Sequence, residues 1–307
     1  MKAAFIEGHG GPQVLKFGEM PDPVFASGEV LVEIVAASVN GADWKVREGK
    51  SNQVAHFPYI LGRDFSGVVS AVGNGARDLR VGDEVFGVCD VGQEGAYAEE
   101  LAIKAAIVAK KTARLSHIDA AALALAGLTA ICTIEDTLKL KAGETILIQG
   151  GAGGVASFAI QLSKHLDAHV ITTASASNHD YLRAIGADEI IEYNAVDFTK
   201  VVRDCDAVFD TVGGDVAQRS FTVLKPGGRA AFIASGAQAP KSDRSDVVAL
   251  RPSVGRDRQH LERIVALVAM GAVRPPEVTL YKLSEAAAAH EVSESRHFRG
   301  KLIFLVR

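Results

Sequence analysis

A glycine-rich turn at residues 150–156 has the spacing best suited to chemistry in this 307-residue chain. Gly151-x-Gly153-x-x-Ala156 fits the pattern that binds the pyrophosphate of a dinucleotide, in which Ala can take the third position. Glycine lets the backbone turn sharply and approach a ligand closely, and the N–H groups that begin a helix attract phosphate. We therefore predict that a dinucleotide contacts Gly150, Gly151, Ala152, Gly153, Gly154 and Val155.

The residues on either side of the turn predict a strand before it and a helix after it. Thr145–Gln149 is short, apolar and rich in β-branched residues, as in a buried strand. After the turn, apolar residues recur at helical spacing from Val155 to Leu166. Strand, glycine turn and amphipathic helix in this order favour a nucleotide site over an ordinary turn.

An acid is missing where NAD-binding proteins have one, which predicts NADP(H) as the cofactor. In those proteins, an Asp or Glu about 20 residues beyond the glycines binds the ribose 2′-hydroxyl and would repel a 2′-phosphate. Residues 172–178 contain no acid, and Ser175, Ser177 and Asn178 can donate hydrogen bonds to phosphate oxygens. The alternative is that Ser177 or Asn178 only caps the helix that follows.

The remaining chain must supply the elements that position this turn. Residues 1 to about 118 contain short predicted strands separated by Gly, Pro and Asp turns. From about residue 119, strands alternate with helices, which predicts βαβ units, a parallel sheet and helices on both of its faces. The last predicted strand, at residues 301–306, has no following helix and is expected to return to the first domain.

The composition is that of an ordinary globular protein, with 48% hydrophobic residues. A net charge of -4 leaves no basic excess for binding nucleic acid. Cys89, Cys132 and Cys205 are far apart and include no C-x-x-C pair, which favours reduced thiols in the cytoplasm. The apolar run at residues 120–134 is shorter than a membrane span, and residues 1–8 lack the apolar core of a signal peptide. We therefore expect a cytoplasmic protein without a membrane partner.

Eight short motifs occur in a specific order along nearly the whole chain. They are Ser38-Val39-Asn40-x-x-Asp43, Gly62-x-Asp64-x-x-Gly67-x-Val69, Val81-Gly82-Asp83-x-Val85, Gly127-Leu128-Thr129-Ala130, residues 150–161, Asp210-x-Val212-Gly213-Gly214, Leu224-Lys225-Pro226-Gly227-Gly228 and Arg299-Gly300-Lys301. Each one is a short string, but together they are highly specific. The chain resembles the medium-chain dehydrogenase/reductase superfamily, in its zinc-free branch of quinone oxidoreductases and enone reductases.

This resemblance implies an α/β fold built from two domains. Residues 1–118 and 268–307 would form a GroES-like β-rich catalytic domain, and residues 119–267 would form a Rossmann domain with a doubly wound parallel sheet. The cofactor would lie in the cleft between them. A homodimer is also implied, joined through an edge strand near residues 245–250.

The resemblance further implies that the chain binds no metal. Zinc-dependent relatives have Cys where this chain has Asn40, and His-Glu where it has Arg63-Asp64. A catalytic zinc of that type needs Cys and His ligands. No group of four cysteines for a structural zinc occurs between Val88 and Leu101.

The catalytic residues that the resemblance implies are Asn40, Asp43 and Lys45. Without a metal, hydride addition to an enone needs hydrogen-bond donors where enolate charge develops. Lys45 would contact the cofactor near the nicotinamide and polarise the substrate carbonyl. Asn40 would bind the substrate or the carboxamide, and Asp43 would orient Lys45 or its loop. The alternative is that these side chains only bind backbone.

Five further residues are implied to contact the cofactor. Thr129 would lie beside the nicotinamide, unless its hydroxyl bonds its own helix. Tyr193 would contact the adenosine 2′-phosphate, and Ser235 would end the strand beside the nicotinamide. Arg299 and Lys301 would lie near the cofactor or form a solvated turn.

The resemblance implies an NADPH-dependent reductase of quinones or α,β-unsaturated carbonyl compounds. One alternative is a methyltransferase that uses S-adenosylmethionine, although such enzymes have an acid near residue 174 and no β-rich first half. A second is a non-enzymatic NADPH-binding redox sensor or structural protein on the same fold, since a fold does not determine a function. A third is a zinc alcohol dehydrogenase, which would require a bound metal.

Overall fold

The computed structural model describes residues 1–50, 54–236 and 238–307, which divide into two compact units. The first unit comprises Met1–Leu125, Arg256–Ala269 and Pro275–Arg307, and the second comprises Ala126–Gly255 and Met270–Arg274. In the described residues, the strands are β1 Lys2–Ile6, β2 Lys16–Glu19, β3 Glu29–Val39, β4 Tyr59–Ile60, β5 Asp64–Val72, β6 Glu84–Val88, β7 Glu100–Lys104, β8 Val108–Lys110, β9 Thr145–Gln149, β10 His169–Ala174, β11 Glu189–Glu192, β12 Cys205–Asp210, β13 Leu224–Phe232, β14 Val248–Leu250, β15 Val278–Lys282 and β16 Lys301–Leu305. The α-helices are α1 Gly41–Arg47, α2 His117–Ile131, α3 Gly154–His165, α4 His179–Ala184, α5 Phe198–Val201, α6 Gly214–Arg219, α7 Arg258–Ala269 and α8 Ala286–Ser295.

The first unit is built on two sheets. A small sheet has the strand order β2-β1-β4, and a larger mixed sheet has the order β15-β16-β3-β5-β6-β8, with β7 also paired to β3. Strand β16 runs antiparallel to β3 and places Leu302 opposite Val39. Apolar side chains such as Phe65 and Phe304 are fully buried in this core. The end of the chain is therefore an integral part of the β-rich unit.

Helix α7 belongs to the first unit, whereas the sequence-based boundary placed most of it in the Rossmann domain. The side chain of Arg258, the first residue of α7, explains the difference. Its Nε donates to the Val108 carbonyl at 2.9 Å and its Nη2 to the Ala105 carbonyl at 2.6 Å. Its Nη1 also donates to Asp78 at 2.9 Å. The apolar pattern of the helix sequence could not predict these contacts, because they join residues far apart in the chain.

The second unit contains one parallel sheet with the order β11-β10-β9-β12-β13-β14. Counted from β9, this order is 3-2-1-4-5-6, which is that of a doubly wound dinucleotide-binding sheet. The order reverses between β9 and β12, and ligands of such sheets bind outside the carboxyl ends of the strands at that point. The glycine turn that follows β9 lies at this edge. Strand β14 lies at the edge of the sheet, within the region where the sequence placed a dimer edge.

Helix α2 continues through a π-helical segment, Cys132–Thr137, as one helical stretch. The helix has 21 residues, and its most apolar window of 18 residues has a mean hydropathy of 1.6, so by length and composition it could cross a membrane. The predicted apolar run was shorter because charged residues interrupt it at Glu135. Of its most apolar window, 78% is buried inside the protein, as in the core helices of soluble proteins.

Candidate functional site

The glycine turn begins where β9 ends at Gln149. Gly150 has a φ of +75°, a conformation that glycine adopts without strain. A Cβ atom on Gly151 would lie 2.3 Å from Thr172 Oγ1, so the neighbouring strand leaves no room for a side chain. Gly153 is the N-cap residue of α3, with extended backbone angles of φ -74° and ψ 157°. Gly150 is therefore favoured by its backbone conformation and Gly151 by the neighbouring strand, whereas the backbone at Gly153 would accept a side chain.

Buried polar side chains hold this turn in place. The Gly150 N–H donates to Thr173 Oγ1 at 3.1 Å, and the Thr173 hydroxyl donates to Gln149 Oε1 at 2.7 Å. The Thr211 hydroxyl donates to the Gln149 carbonyl at 2.8 Å, which ties the end of β12 to the end of β9. The sequence reasoning missed Gln149, Thr173 and Thr211. Gln149 could have been found from the sequence, because a polar residue at the end of an apolar strand indicates a side chain that binds the following turn.

The start of α3 suits a pyrophosphate group. Inside a helix, the first N–H groups have no intrahelical acceptor, here those of Gly154, Val155 and Ala156. A Cβ atom on Gly153 would meet nothing closer than the Gly150 carbonyl oxygen at 3.6 Å, so the space in front of the helix is open. Residues 152–155 are half-buried, which leaves them within reach of a ligand. The helix dipole adds further attraction for an anion.

The ends of β10 and β11 bring together the residues predicted to bind a 2′-phosphate. Asn178 Nδ2 donates to Ser175 Oγ at 2.9 Å, and Ser175 Oγ lies 3.2 Å from Ser177 Oγ. The Tyr193 N–H donates to the Ala174 carbonyl at 3.4 Å, and the Tyr193 side chain is 50% exposed. Asn178 is the N-cap residue of α4, yet its side chain makes no capping hydrogen bond. The hydroxyl and amide groups of Ser175, Ser177 and Asn178 form one polar cluster, and a backbone hydrogen bond joins Tyr193 to the strand end next to it.

Two other predicted cofactor residues lie in the second unit. Ser235 follows β13, and its Oγ atom is buried without a hydrogen-bond partner among the described residues. A buried hydroxyl in that state is a suitable partner for a ligand group. Thr129 is 7% exposed in α2, where its carbonyl accepts a hydrogen bond from Thr133 Oγ1 at 2.6 Å.

In the first unit, Asn40 lies in a buried polar cluster with Asp64 and Lys301. Asn40 Nδ2 donates to Asp64 Oδ1 at 2.7 Å, and Lys301 Nζ donates to Asn40 Oδ1 at 2.6 Å. Asp64 also accepts from Ser38 Oγ at 2.7 Å and from the Leu125 N–H at 3.1 Å. Burial lowers the pKa of the Lys301 ammonium from its ordinary value. Lys301 is only 6% exposed, so the alternative that it lies in a solvated turn is wrong.

Arg299, two residues before Lys301, lies nearer the surface. Its Nη1 is 3.1 Å from Glu277 Oε1, and its side chain is about a third exposed. Between them, Gly300 has a φ of +72°, and a Cβ atom there would lie 1.9 Å from the Glu277 carbonyl oxygen. The Arg-Gly-Lys motif thus turns sharply, so that its lysine enters the core while its arginine stays outside.

Asp43 is fully buried in the first turn of α1. Its Oδ2 accepts hydrogen bonds from the Asn40 N–H at 2.8 Å and from the Tyr97 hydroxyl at 2.7 Å. Its Oδ1 faces Arg63 Nε at 3.7 Å. Burial raises the pKa of Asp43 from 3.8 to about 6, although Arg63 and Tyr97 act in the opposite direction. Asp43 thus holds the start of α1, which is the backbone-binding role that the sequence left open.

The buried Asp43 carboxyl predicts an unusual pH dependence of stability. The folded chain holds this proton more tightly than the unfolded chain, since the pKa is about 6 against 3.8. Stability is therefore lost as the pH rises through this window. The unsubstituted chain should lose this stability as the pH rises from about 4 to about 6, whereas Asp43→Asn should not. The difference in unfolding free energy between the two chains should therefore change by about 2–3 kcal/mol in favour of Asp43→Asn over this range. Urea unfolding at several pH values measures this, and a constant difference between the two chains would contradict it.

Lys45 lies on α1 next to the only tryptophan of the chain. Its Nζ is 5.5 Å from the centre of the Trp44 ring, and Lys50 Nζ is 5.3 Å from the same ring. The Arg296 guanidinium also approaches this ring, at 5.8 Å. Cations at these distances interact favourably with an indole face. Lys45 is thus placed on a partly exposed surface of the first unit that carries several positive charges.

A second buried network, which the sequence reasoning missed, extends from Asp43 across the first unit. His290 Nε2 lies 3.4 Å from the Tyr97 hydroxyl, and His290 Nδ1 lies 3.3 Å from Arg47 Nη1. Arg47 is fully buried and pairs with Glu294, which is 27% exposed. Burial and the nearby Arg47 lower the pKa of His290 to about 3, so the ring stays neutral.

Comparisons with known proteins cover both units. A family profile described as an alcohol dehydrogenase GroES-like domain matches residues 26–113, and one described as a zinc-binding dehydrogenase matches residues 185–304. The chain is 32% identical over 316 residues to an NADPH-dependent alkenal/one oxidoreductase of Arabidopsis thaliana, covering 99% of this chain and 79% of that protein.

Solved structures agree over the full length. A quinone oxidoreductase from Coxiella burnetii is 35% identical, with a TM-score of 0.94. The match covers 100% of this chain and 99% of that one. An Escherichia coli quinone oxidoreductase complexed with NADPH is 28% identical, with a TM-score of 0.91 and complete coverage of both chains.

Proposed function

The chain belongs to the quinone oxidoreductase branch of the medium-chain dehydrogenase/reductase superfamily, and we propose that it transfers hydride from NADPH to quinones or α,β-unsaturated carbonyl compounds. It is an NADP(H)-dependent oxidoreductase with a GroES-like domain and a Rossmann domain. The observation that carries the proposal is the open glycine turn at the reversal point of the parallel sheet. The acid-free end of β10 next to that turn supports the phosphorylated cofactor.

We propose that the reaction is independent of zinc, because the residues at the predicted metal positions do not suit that ion. Zinc sites of this type use thiolate and imidazole ligands. Here Asn40 and Asp64 converge, and both are engaged by other side chains. The Lys301 ammonium at Asn40 Oδ1 would repel a divalent cation from the same place.

Bound NADPH supplies the hydride, while the chain supplies binding, orientation and charge stabilisation. In our proposal the α3 N-terminus holds the pyrophosphate, and the Ser175 cluster with Tyr193 holds the 2′-phosphate. Lys45 donates to the carbonyl oxygen that gains negative charge when hydride adds to the β-carbon. Asn40 and Asp43 hold the chain at the start of α1, the helix that carries Lys45.

A panel of quinones, enals and enones with NADPH and NADH tests this function. We expect steady oxidation of NADPH with at least one of these acceptor classes, in protein freed of metal by a chelator. NADPH binding without turnover of any acceptor would favour the redox sensor or structural protein. Loss of turnover on chelation, restored by zinc, would overturn the zinc-independent mechanism.

Ser175→Asp should shift the cofactor preference toward NADH. A carboxylate at the end of β10 can accept a hydrogen bond from a ribose 2′-hydroxyl, and it repels a 2′-phosphate. We expect the ratio of kcat/KM for NADPH to that for NADH to fall at least about tenfold, or about 1.4 kcal/mol. Ser175→Asn, which has similar size without the charge, serves as the control. An equal ratio in the Asp and Asn variants would contradict the assignment of Ser175.

We also propose a cytoplasmic homodimer that acts without nucleic-acid or membrane partners. The three cysteines are buried and form no disulfide bond among the described residues, as suits a reducing compartment. Strand β14 leaves one edge of the parallel sheet unpaired within the described residues, and Val248 on it is 51% exposed. An exposed strand edge is a ready template for pairing with a second copy. Light scattering gives the mass in solution, and fractionation of the producing cells gives the compartment.

A further inference from the structure

Lys301 places a positive charge inside the first unit, at a specific side chain. It is the first residue of β16, and the antiparallel register with β3 brings it to the end of that strand. Its Nζ donates to the Val39 carbonyl at 3.0 Å and to Asn40 Oδ1 at 2.6 Å. A buried ammonium is stable only when hydrogen-bonded and compensated by negative charge. The carboxylates of Asp64 and Asp43 supply that charge.

The Asn40 amide lies between the Lys301 ammonium and the Asp64 carboxylate. Its oxygen faces Lys301 Nζ at 2.6 Å, and its nitrogen faces Asp64 Oδ1 at 2.7 Å. Lysine can only donate and an ionised carboxylate can only accept. Turning the amide over would therefore place donor against donor and acceptor against acceptor. The two charges permit a single orientation of Asn40.

Asn40 in turn determines where α1 begins. It is the N-cap residue of that helix, and its backbone N–H donates to Asp43 Oδ2 at 2.8 Å. Its side chain is already engaged by Lys301 and Asp64, so the whole residue is held from both sides. Lys45 lies one helical turn further along α1. A shift of Asn40 would therefore move the residue that our proposed function assigns to the substrate carbonyl.

We propose that Lys301 is a positioning residue for the reduction, which acts through Asn40. Zinc-dependent relatives place a metal-binding Cys at the position of Asn40, so here an internal ammonium supplies the fixed positive charge at this point of the fold. The sequence-based interpretation gave Lys301 a contact with the cofactor instead. The inference rests on the proposed function for its effect on turnover, but the orientation of Asn40 can be measured without it.

The test compares Lys301→Met, Asn40→Ala and the double variant. We expect each single variant to lower kcat about 10- to 100-fold, in the range of other losses of positioning. The double variant should be no slower than the slower single variant by more than about threefold, because the two residues act as a unit. The proposal would be overturned if the loss of kcat in the double variant equalled the product of the two single losses. An unchanged kcat in Lys301→Met would also overturn it.

Binding of NADPH separates the two roles of Lys301. A positioning residue predicts that Lys301→Met keeps the Kd for NADPH within about twofold, whereas loss of a cofactor contact raises it at least about tenfold. Lys282→Met, on the neighbouring strand β15, is the matched control and should leave both kcat and Kd unchanged. If Lys301→Met does not fold, Lys301→Leu likewise removes the donor to Asn40 Oδ1 and carries the same comparison.

A measurement without turnover completes the test. The side-chain amide of Asn40 gives one ¹⁵N–¹H₂ signal pair, identified by its disappearance in Asn40→Ala. We expect its protons to exchange with water at least about tenfold faster in Lys301→Met, since an anchoring bond is lost. An unchanged signal would overturn the proposal even if no acceptor is reduced. Faster exchange in a protein that reduces no acceptor would instead retain the anchoring of Asn40 and reject the proposed function.

Discussion

Replacing Gly153 by Asp is expected to lower the affinity for NADPH at least about 100-fold while the protein stays folded. The extended backbone of Gly153 suits any residue, and its Cβ direction is open. Asp is a favourable N-cap residue, so helix α3 should be at least as stable as before. The new carboxylate, however, points at the space that we propose for the pyrophosphate. Two like charges about 4 Å apart near a protein surface repel each other by about 4 kcal/mol.

Gly153→Asn isolates the charge from the size of the side chain. Asn is as good an N-cap residue as Asp and nearly the same shape, but it is neutral. We expect it to bind NADPH at least about tenfold more tightly than Gly153→Asp. Titration of the cofactor fluorescence gives both dissociation constants, and thermal unfolding checks the fold. Similar constants for the two variants would show that the pyrophosphate does not bind at the start of α3.

The largest loss of stability is expected for Arg47→Met. The fully buried guanidinium donates through Nε to the Gly10 carbonyl at 3.0 Å, lies beside His290 and pairs with Glu294. Methionine fills most of the volume but donates no hydrogen bond. Removing the guanidinium leaves the Gly10 carbonyl and the His290 ring without their hydrogen-bond partner, which costs about 1–3 kcal/mol for each group. Urea unfolding at neutral pH measures the difference.

Glu294→Gln is the control for this prediction. Glu294 is partly exposed, so water can replace the lost charge interaction at that end of the pair. We expect a loss of about 1 kcal/mol or less for this variant. A loss below about 1 kcal/mol for Arg47→Met as well would show that the buried network contributes little to the fold.

The strand, turn and helix that we propose as the dinucleotide site could be predicted because their signal is local. Strand, glycine turn and helix occupy about 20 consecutive residues. The ends of β10 and β11 were also accessible, since the absent acid lies at a known distance from the glycines. For this part, the structure adds chiefly the polar side chains, such as Gln149 and Thr173, that hold the turn.

The polar network of the first unit could not be predicted, because its contacts join distant parts of the chain. Lys301 and Asn40 are separated by 261 positions, and Arg47 and His290 by 243. No helical or strand periodicity marks His290 in its alanine-rich segment as a partner of Tyr97. The motif resemblance identified Asn40 and Asp43 as important residues. It could not tell a residue that meets the substrate from one that holds the backbone.

The pairing of β16 with β3 has a consequence for synthesis on the ribosome. Strand β3 leaves the exit tunnel early, but its partner follows more than 260 residues later. The β-rich unit therefore cannot close until residues 301–305 emerge, whereas the parallel sheet of the second unit can form before then. The common order, in which the N-terminal domain folds first, is reversed here. Asn40 acquires its fixed orientation only after β16 has emerged, so a partly translated chain can hold the parallel-sheet unit before it has a finished β-rich unit.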